Sequence, residues 1–136
     1  MMKVCTFMVA LLALIGCDSE KQRASDRALA GRLLGTWDDS MTNTHSARFS
    51  GDVTYETNGV AHWRGTVTEG AGPAQTIDDW GVWRVQKGCL FTRVTNSTLR
   101  DLDDEPEYRD FIVSLSATQF TYRDHLRDVY TSKRKR

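Results

Sequence analysis

The chain lacks the patterns that mark several large classes of protein. It carries 18 basic and 18 acidic side chains, so no excess of positive charge favours a nucleic acid as a partner. No apolar run reaches the roughly 20 residues that a membrane-spanning helix needs. Only two prolines occur, Pro73 and Pro106, and both lie in polar, turn-like stretches.

Motifs for chemistry are also absent. The three histidines, His45, His62 and His125, lie in different segments, and no serine, cysteine or aspartate pattern joins one of them to a nucleophile. The acidic stretch from Asp101 to Glu107 lacks the central glycine and final glutamate of a calcium loop, which favours a solvated loop. No glycine-rich phosphate loop occurs. We therefore expect no enzyme, no metal site and no cofactor.

Cysteine is scarce, with three in the chain. Cys5 and Cys17 fall in and directly after the amino-terminal apolar segment, which leaves Cys89 without an intramolecular disulfide partner. No histidine lies near Cys89 in the sequence, so a metal site is not indicated. We predict a buried, small apolar residue on a strand, with a reactive thiol as the alternative.

The amino terminus has the features of a secretory signal. Lys3 provides a positive charge, Val4 to Ile15 form an apolar segment that is too short to span a bilayer, and the small Gly16 follows. We predict that residues 1–16 are a signal peptide. An ordinary secretory signal followed by a chance cysteine is the alternative to the interpretation given next.

The end of this segment, Leu14-Ile15-Gly16-Cys17, resembles the lipobox of bacterial lipoproteins. The resemblance implies a diacylglyceryl group on the sulfur of Cys17, cleavage before it, and acylation of the new amine, for example with palmitate. Two or three acyl chains hold a protein on a membrane without a spanning helix. The expected location is therefore a bacterial cell envelope, facing the periplasm. Asp18 resembles an inner-membrane retention signal of enteric bacteria, and the choice of membrane stays open.

The mature chain is long enough for one domain. We predict a lipidated tether over residues 17–25 and a folded domain over residues 26–136. Apolar residues at spacings of three and four predict a short amphipathic helix that ends at Gly35 and packs on the domain. These residues are Ala24, Ala28, Leu29, Leu33 and Leu34.

After Gly35 the apolar period changes to two, in short runs rich in Val, Thr, Tyr, Phe and Trp. This pattern predicts an antiparallel meander. The predicted strands lie near Thr36–Asp38, Thr44–Phe49, Asp52–Glu56, Ala61–Thr68, Trp80–Gln86, Cys89–Asn96, Tyr108–Ser116 and Gln119–Arg123, with a possible ninth from Val129. Closure into a barrel removes the exposed edges of such a sheet. The predicted fold is all-β: a small antiparallel up-and-down barrel of about eight strands with a short N-terminal helix.

The first hairpin allows two registers. A two-residue Asn58-Gly59 loop would mix the apolar and polar faces. A three-residue loop that begins at Thr57 pairs Tyr55 with Ala61 and Val53 with Trp63 and keeps the apolar faces together. We predict the longer loop.

The second hairpin favours a two-residue Lys87-Gly88 turn. That turn pairs Val85 with Leu90 and Trp83 with Thr92, so the apolar residues again share a face. Further along, Phe111, Val113 and Leu115 alternate in the same way.

The order of several motifs resembles the small bacterial lipocalin-like lipoproteins. Gly35-Thr36-Trp37 follows the short helix, a Tyr-x-x-Asn-Gly turn begins at Tyr55, Trp80-Gly81-Val82-Trp83-Arg84-Val85 lies midway, and a Leu-Ser-x-Thr-x-Phe step begins at Leu115. The resemblance covers roughly Leu33 to Arg127. It implies that Trp37 plugs the base of the barrel and that a late arginine, Arg123 or Arg127, stacks on its ring.

Trp80 and Trp83 have opposite parity, so one strand buries both on one face only if a bulge lies near Gly81. The simpler interpretation puts Trp83 in the core and Trp80 at the start of its strand. In the alternative, Trp80 lines a cavity mouth or contacts a partner. The candidate ligand-binding or interface residues are Tyr55, Trp63, Trp80, Trp83 and Phe91.

We expect an envelope lipoprotein whose barrel binds a small apolar or amphiphilic molecule. The alternative is a protein-interaction module, an inhibitor or accessory subunit, that uses Trp80 or the loop from Gly70 to Thr76. A hydrolase or isomerase would need a histidine beside a carboxylate in a pocket. The basic tail from Lys133 to Arg136 predicts a disordered end, or else a contact with anionic lipid.

Overall fold

The computed structural model describes residues 4–42, 47–99, 102 and 106–136, with the backbone alone for residues 4–18 and Thr42. One helix, α1 (Val4–Leu33), precedes the strands. The strands are β1 (Gly35–Asp38), β2 (Met41–Thr42), β3 (Ala47–Tyr55), β4 (Val60–Glu69), β5 (Gln75–Gln86), β6 (Cys89–Asn96), β7 (Tyr108–Leu115), β8 (Gln119–Arg123) and β9 (Val129–Arg134).

The sheet closes on itself. From β3 to β9 each strand pairs antiparallel with the next, and β1 pairs with both β9 and β3. Eight strands therefore form a closed antiparallel barrel, and the short β2 pairs with β3 beyond the end of β1. The predicted all-β barrel of about eight strands with an N-terminal helix is confirmed.

Two predicted strands are a single strand. The described residues of the stretches Thr44–Phe49 and Asp52–Glu56 belong to β3, except Glu56, which follows its last residue; residues 44–46 lie outside the described residues. The separation was wrong because Gly51 is not in a turn: it lies opposite Gly65 of β4. A Cβ on Gly51 would lie 2.2 Å from the Arg64 carbonyl oxygen, so these glycines allow two strands to approach closely.

Both predicted hairpin registers are confirmed. Tyr55 pairs with Ala61 and Val53 with Trp63, and Gly59 has a φ of 79°. In the second hairpin Val85 pairs with Leu90 and Trp83 with Thr92. Its turn residues, Lys87 and Gly88, have φ values of 52° and 70°, as a type I′ turn requires.

Helix α1 differs from the prediction in length. The predicted tether around residues 19–25 is helical, and the helix ends at Leu33. Leu33 is fully buried, and Ala30 and Leu34 pack beside it on the barrel core, whereas Ala24 and Ala28 are exposed. In the part of the chain described, no helix has the length and apolarity to span a membrane.

The end of the barrel beside α1, called the helix end below, is closed by Trp37. Its ring is fully buried against Phe120, and its indole N–H donates to the Leu33 carbonyl at 2.7 Å. The arginine over this ring is Arg134, with its guanidinium carbon 4.1 Å from the ring centroid. The prediction of Arg123 or Arg127 was wrong, because barrel closure puts β9 beside β1 and Arg134 directly opposite Trp37.

The basic tail is ordered, which corrects the prediction of a disordered end. Arg134 is the last residue of β9 and donates to the carbonyl groups of Arg32, Leu34 and Ala117. The Lys135 amide donates to the Thr36 carbonyl, and its ammonium group contacts Asp52 at 2.7 Å. The tail therefore completes the seam between β9 and β1.

Candidate functional site

The barrel end opposite α1 contains a cavity of about 550 Å³. Loops surround its mouth, and its walls are the inward-facing residues of the strands. The apolar residues are Met41, Phe49, Val67, Ile77, Val94, Leu99 and Leu126. The strand order places most of them near the mouth: Met41 follows Asp39 along the chain, and Ile77 lies beyond Asp79 toward the loop before β5.

Aromatic rings form much of the cavity wall. Tyr55, Trp63, Tyr122 and Tyr130 all line it. The Tyr122 and Tyr130 rings lie 5.4 Å apart, and Tyr55 packs edge-on against Trp83 at 5.2 Å.

Trp63 occupies space that a glycine leaves free. A Cβ on Gly81 would lie 2.9 Å from a ring carbon of Trp63. Gly81 faces inward between Asp79 and Trp83. The missing side chain therefore lets the large Trp63 ring lie flat along the wall.

Carboxylates share this space with the rings. Asp39, Asp79, Asp110 and Asp124 all line the cavity. One oxygen of Asp39 accepts from the Tyr122 hydroxyl at 2.9 Å and also from the Ser132 hydroxyl. Asp79 accepts from the Thr98 amide, and Asp124 from the Asp128 amide.

Burial changes the acidity of two of these groups. Burial raises the pKa of Asp39 to about 6, against the opposing effect of its two hydroxyl donors. Burial, with the negative charges of Asp124 and Asp39, raises the pKa of Asp110 to about 7. The same burial raises the pKa of Tyr55 and Tyr122 well above its usual value. These charges act on one another because they face one low-dielectric space.

The structure divides the predicted ligand-binding residues between two faces. Tyr55 and Trp63 line the cavity. Trp83 is buried toward the helix end, where its indole N–H donates to the Glu56 carbonyl at 3.0 Å. Phe91 faces outward under the Arg84 guanidinium, 4.3 Å from its ring centroid. Phe91 therefore does not line the cavity.

Trp80 also faces outward, with 40 % of its surface exposed. It lies in the middle of β5, so the prediction that it begins the strand was wrong: β5 begins at Gln75. The register between β5 and β6 shifts beside it, since Trp80 pairs with Asn96 and Gly81 with Val94. An irregularity near Gly81, one of the two options that the sequence left open, is thus present, but the extra residue lies in β6. The residues of β5 alternate between the two faces without interruption, so Trp80 faces outward.

A histidine and a carboxylate meet on this outer face. His62 stacks on Trp80 with ring centroids 3.8 Å apart, and its Nε2 contacts the Asp78 carboxylate. The contact lies outside the barrel, away from the cavity. His125 lies at the cavity mouth, and His45 lies outside the described residues.

The remaining predicted features are distributed as follows. Cys89 is a buried free thiol on β6, as predicted. Residues 103–105 of the acidic loop and the side chain of Cys17 lie outside the described part of the chain. Glu107, at the end of that loop, forms a two-point ion pair with Arg84. Within the described residues, no three histidine, cysteine or acidic side chains are grouped to hold a metal ion.

The alternation predicted on β7 is interrupted. Phe111 and Val113 share a face as noted, and both are exposed on the outer surface, with the guanidinium groups of Arg109 and Arg123 over the Phe111 ring. A bulge near Val113 changes the parity and lets Leu115 pack inward. Asp110 consequently faces the lumen.

Sequence reasoning missed the lumenal carboxylates. Asp79 was not among the predicted site residues, although it has the inward parity of Ile77, Gly81 and Trp83. Asp39 likewise has the parity of Trp37. The alternation that placed the apolar residues could have placed these acids too.

Searches against protein-family models, curated proteins and solved structures found no significant match. The cavity and its chemistry therefore carry the functional argument.

Proposed function

We propose that this protein is a binding protein of the bacterial cell envelope, which holds a small amphiphilic molecule in the open end of its barrel. The lumenal cavity is the observation that carries the proposal. Ligand cavities typically have a volume of roughly 300–1,000 Å³ and combine apolar walls with a few polar groups, and this one falls within that range.

The closed helix end supports a ligand site at the other end. Trp37, Leu33 and Phe120 are almost fully buried at the base of the barrel, and the cavity lies at the other end, where its mouth is. The resemblance of the domain to small bacterial lipocalin-like lipoproteins agrees with a barrel that is closed at one end and has a ligand site at the other. Lipid on Cys17 would tether the barrel to the membrane surface, with the exposed residues 20–25 of α1 as part of the spacer.

The first experiment is native mass spectrometry of the protein extracted from bacterial membranes in mild detergent. We expect a mass that corresponds to a triacylated or diacylated Cys17 and a fraction of protein with one noncovalently bound small molecule. An unmodified residue 17 in the mature chain would contradict the envelope tether. Absence of any bound molecule at every stage of purification would count against the proposed binding of an amphiphile, which is called the carrier function below.

A matched pair of variants tests the location of the ligand. Val94 is buried in the cavity wall, and Val82 is 40 % exposed on the outer face of the neighbouring strand. We expect Val94→Phe to reduce the bound fraction at least roughly fivefold, because the larger ring occupies ligand volume, and Val82→Phe to leave it unchanged. Circular dichroism of both variants checks that the barrel is intact.

The second candidate function is an interaction module. It is favoured by the outer tryptophan patch, which consists of Trp80, Val82 and the stacked His62. Exposed aromatic residues are enriched at protein interfaces. Cross-linking in membranes, with a photoreactive amino acid at residue 82, would detect a partner here. Loss of the cross-link in Trp80→Ala is the expected result for this function, and retention would exclude the patch.

A further inference from the structure

The cavity has a marked imbalance of charge along its length. Asp39 and Asp110 lie deeper in the barrel than the apolar residues at the mouth. The chain leads toward the open end from Asp39 to Met41 and, in the reverse direction of β7, from Asp110 to Tyr108. The basic residues among the described cavity lining, Arg48 and His125, are exposed at the mouth. Among the described residues, the interior therefore carries acidic groups without basic ones, whereas the mouth carries apolar residues together with Arg48, Glu69 and His125.

The deep carboxylates have no cationic partner among the described residues. Asp39 is paired with two neutral hydroxyl groups, those of Tyr122 and Ser132. The Asp110 carboxylate makes neither a hydrogen bond nor an ion pair with the described part of the chain, although the residue is half-buried. A buried carboxylate without a donor is costly unless it is protonated or a ligand pairs with it.

The aromatic rings beside these groups suit the same kind of ligand. Tyr55 and Tyr122 lie close enough to Asp39 and Asp110 for these charges to raise the pKa of both tyrosines. Trp63 and Tyr130 line the same cavity, and the negative face of an aromatic ring attracts a cation within about 6 Å of its centroid. Carboxylates together with ring faces are the usual surroundings of a bound ammonium group.

Other ligand charges fit less well. A fatty acid or another anionic amphiphile would bring a further negative charge next to Asp39 and Asp110. A metal ion would need several ligand atoms converging at about 2–2.6 Å, and no such group of three occurs among the described residues. A neutral molecule would leave Asp110 without a partner.

We propose that the ligand is an organic cation with an apolar tail, its ammonium group between Asp39, Asp110 and the lumenal tyrosines, and its tail toward Phe49, Val67 and Leu126 at the mouth. This inference rests on the proposed carrier function, and it adds the charge and the orientation of the ligand.

The test compares three probes that share one tail: octylammonium, octan-1-ol and octanoate, each titrated into the protein by isothermal calorimetry at pH 7.5 and low salt. We expect octylammonium to bind at least roughly tenfold more tightly than octan-1-ol, as a charge-assisted hydrogen bond in a partly dry site provides. Octanoate should bind most weakly.

Two variant comparisons assign the effect to the lumen. Asp110→Asn and Asp39→Asn should each reduce the preference for octylammonium over octan-1-ol roughly tenfold. Asp38→Asn is the matched control, since Asp38 is adjacent to Asp39 but exposed on the outer face. If Asp39→Asn fails to fold, Asp110→Asn still decides, because the Asp110 side chain has no hydrogen bond to lose among the described residues.

The outcomes separate the two proposals. Binding of octan-1-ol or octanoate as tightly as octylammonium would overturn the cationic ligand and leave the carrier function standing. Octylammonium binding that is unchanged in Asp110→Asn and Asp39→Asn would also overturn it. No binding of any of the three probes, together with no co-purifying molecule, would overturn the carrier function itself.

Discussion

At the residue scale, a few inward side chains determine both the stability of the barrel and what it can hold. Asp39 and Asp110 are acidic groups in a largely dry lumen, and Arg134 is a basic group that closes the opposite end. The acids reduce stability when they are charged, whereas the arginine is fully engaged with carbonyl groups and a ring. Each therefore has a measurable signature in unfolding experiments.

Stability should fall between about pH 4 and about pH 7. The pKa of Asp39 is raised to about 6 and that of Asp110 to about 7, so the folded state binds protons more tightly than the unfolded chain. Their contribution is fully present below about pH 4 and is lost as the pH rises through these pKa values. We expect the free energy of unfolding to drop by at least about 3 kcal/mol over this window.

Urea denaturation at several pH values measures this drop. Asp39→Asn should flatten the pH dependence, and Asp38→Asn should leave it as it is. The pKa of Asp38 is lowered, mainly by its hydrogen bonds to Ser40, so its charge changes only below the window. An unchanged slope in Asp39→Asn would show that Asp39 is ionised throughout.

Arg134→Lys should destabilise the barrel by about 2–3 kcal/mol, because lysine keeps the charge but loses the planar fork that donates to several carbonyl groups. The guanidinium group donates to the Ala117 carbonyl oxygen at 2.7 Å and lies over the Trp37 ring. Thermal and urea unfolding provide the measurement, and Arg136→Lys, at an exposed neighbouring position, is the control. Equal stability of the two variants would contradict the role of Arg134.

At the element scale, local features of the sequence were sufficient for the hairpins but not for closure. The registers at Gly59 and Gly88 follow from turn chemistry and from parity, which involve only residues nearby in the chain. The partner of Trp37 depends on β9 lying beside β1, a contact between the two ends of the domain. Asp79 was missed because polar residues were assigned to solvent, although alternation places it inside. Asp110 was missed because its parity is opposite to that of Phe111, Val113 and Leu115, which alternate in the sequence.

Helix α1 is also joined to the barrel by a specific contact. The Asp26 carboxylate accepts from the backbone amides of Lys87 at 2.8 Å and Gly88 at 2.9 Å. Partial burial alone would raise the pKa of Asp26, but these hydrogen bonds and one from Gln22 lower it. The contact fixes the helix over the β5–β6 turn.

Asp26→Ala should release this turn from the helix without unfolding the barrel. We expect the amides of Lys87 and Gly88 to exchange with solvent at least roughly tenfold faster, because each loses its acceptor. Hydrogen exchange followed by NMR measures this rate, and Arg23→Ala, on the exposed part of the same helix, is the control. Unchanged protection in Asp26→Ala would mean that the turn is held by the strands alone.

At the scale of the whole molecule, the barrel has one filled end and one open end. Trp37, Leu33 and Phe120 close the base, and α1 approaches that same base. Lipid at residue 17 would therefore lie on the side of the closed end, with the amino-terminal part of the helix between lipid and barrel. This asymmetry leaves the cavity mouth as the free end of the protein.

The most direct test is to determine where a small amphiphile binds on the protein. NMR of the protein with octylammonium, using intermolecular NOEs, distinguishes the two faces because each carries its own tryptophan: Trp63 in the cavity and Trp80 outside. We expect NOEs from the octyl chain to Trp63 and Val94 and none to Trp80. NOEs confined to Trp80 and Val82, with an unperturbed lumen, would contradict it.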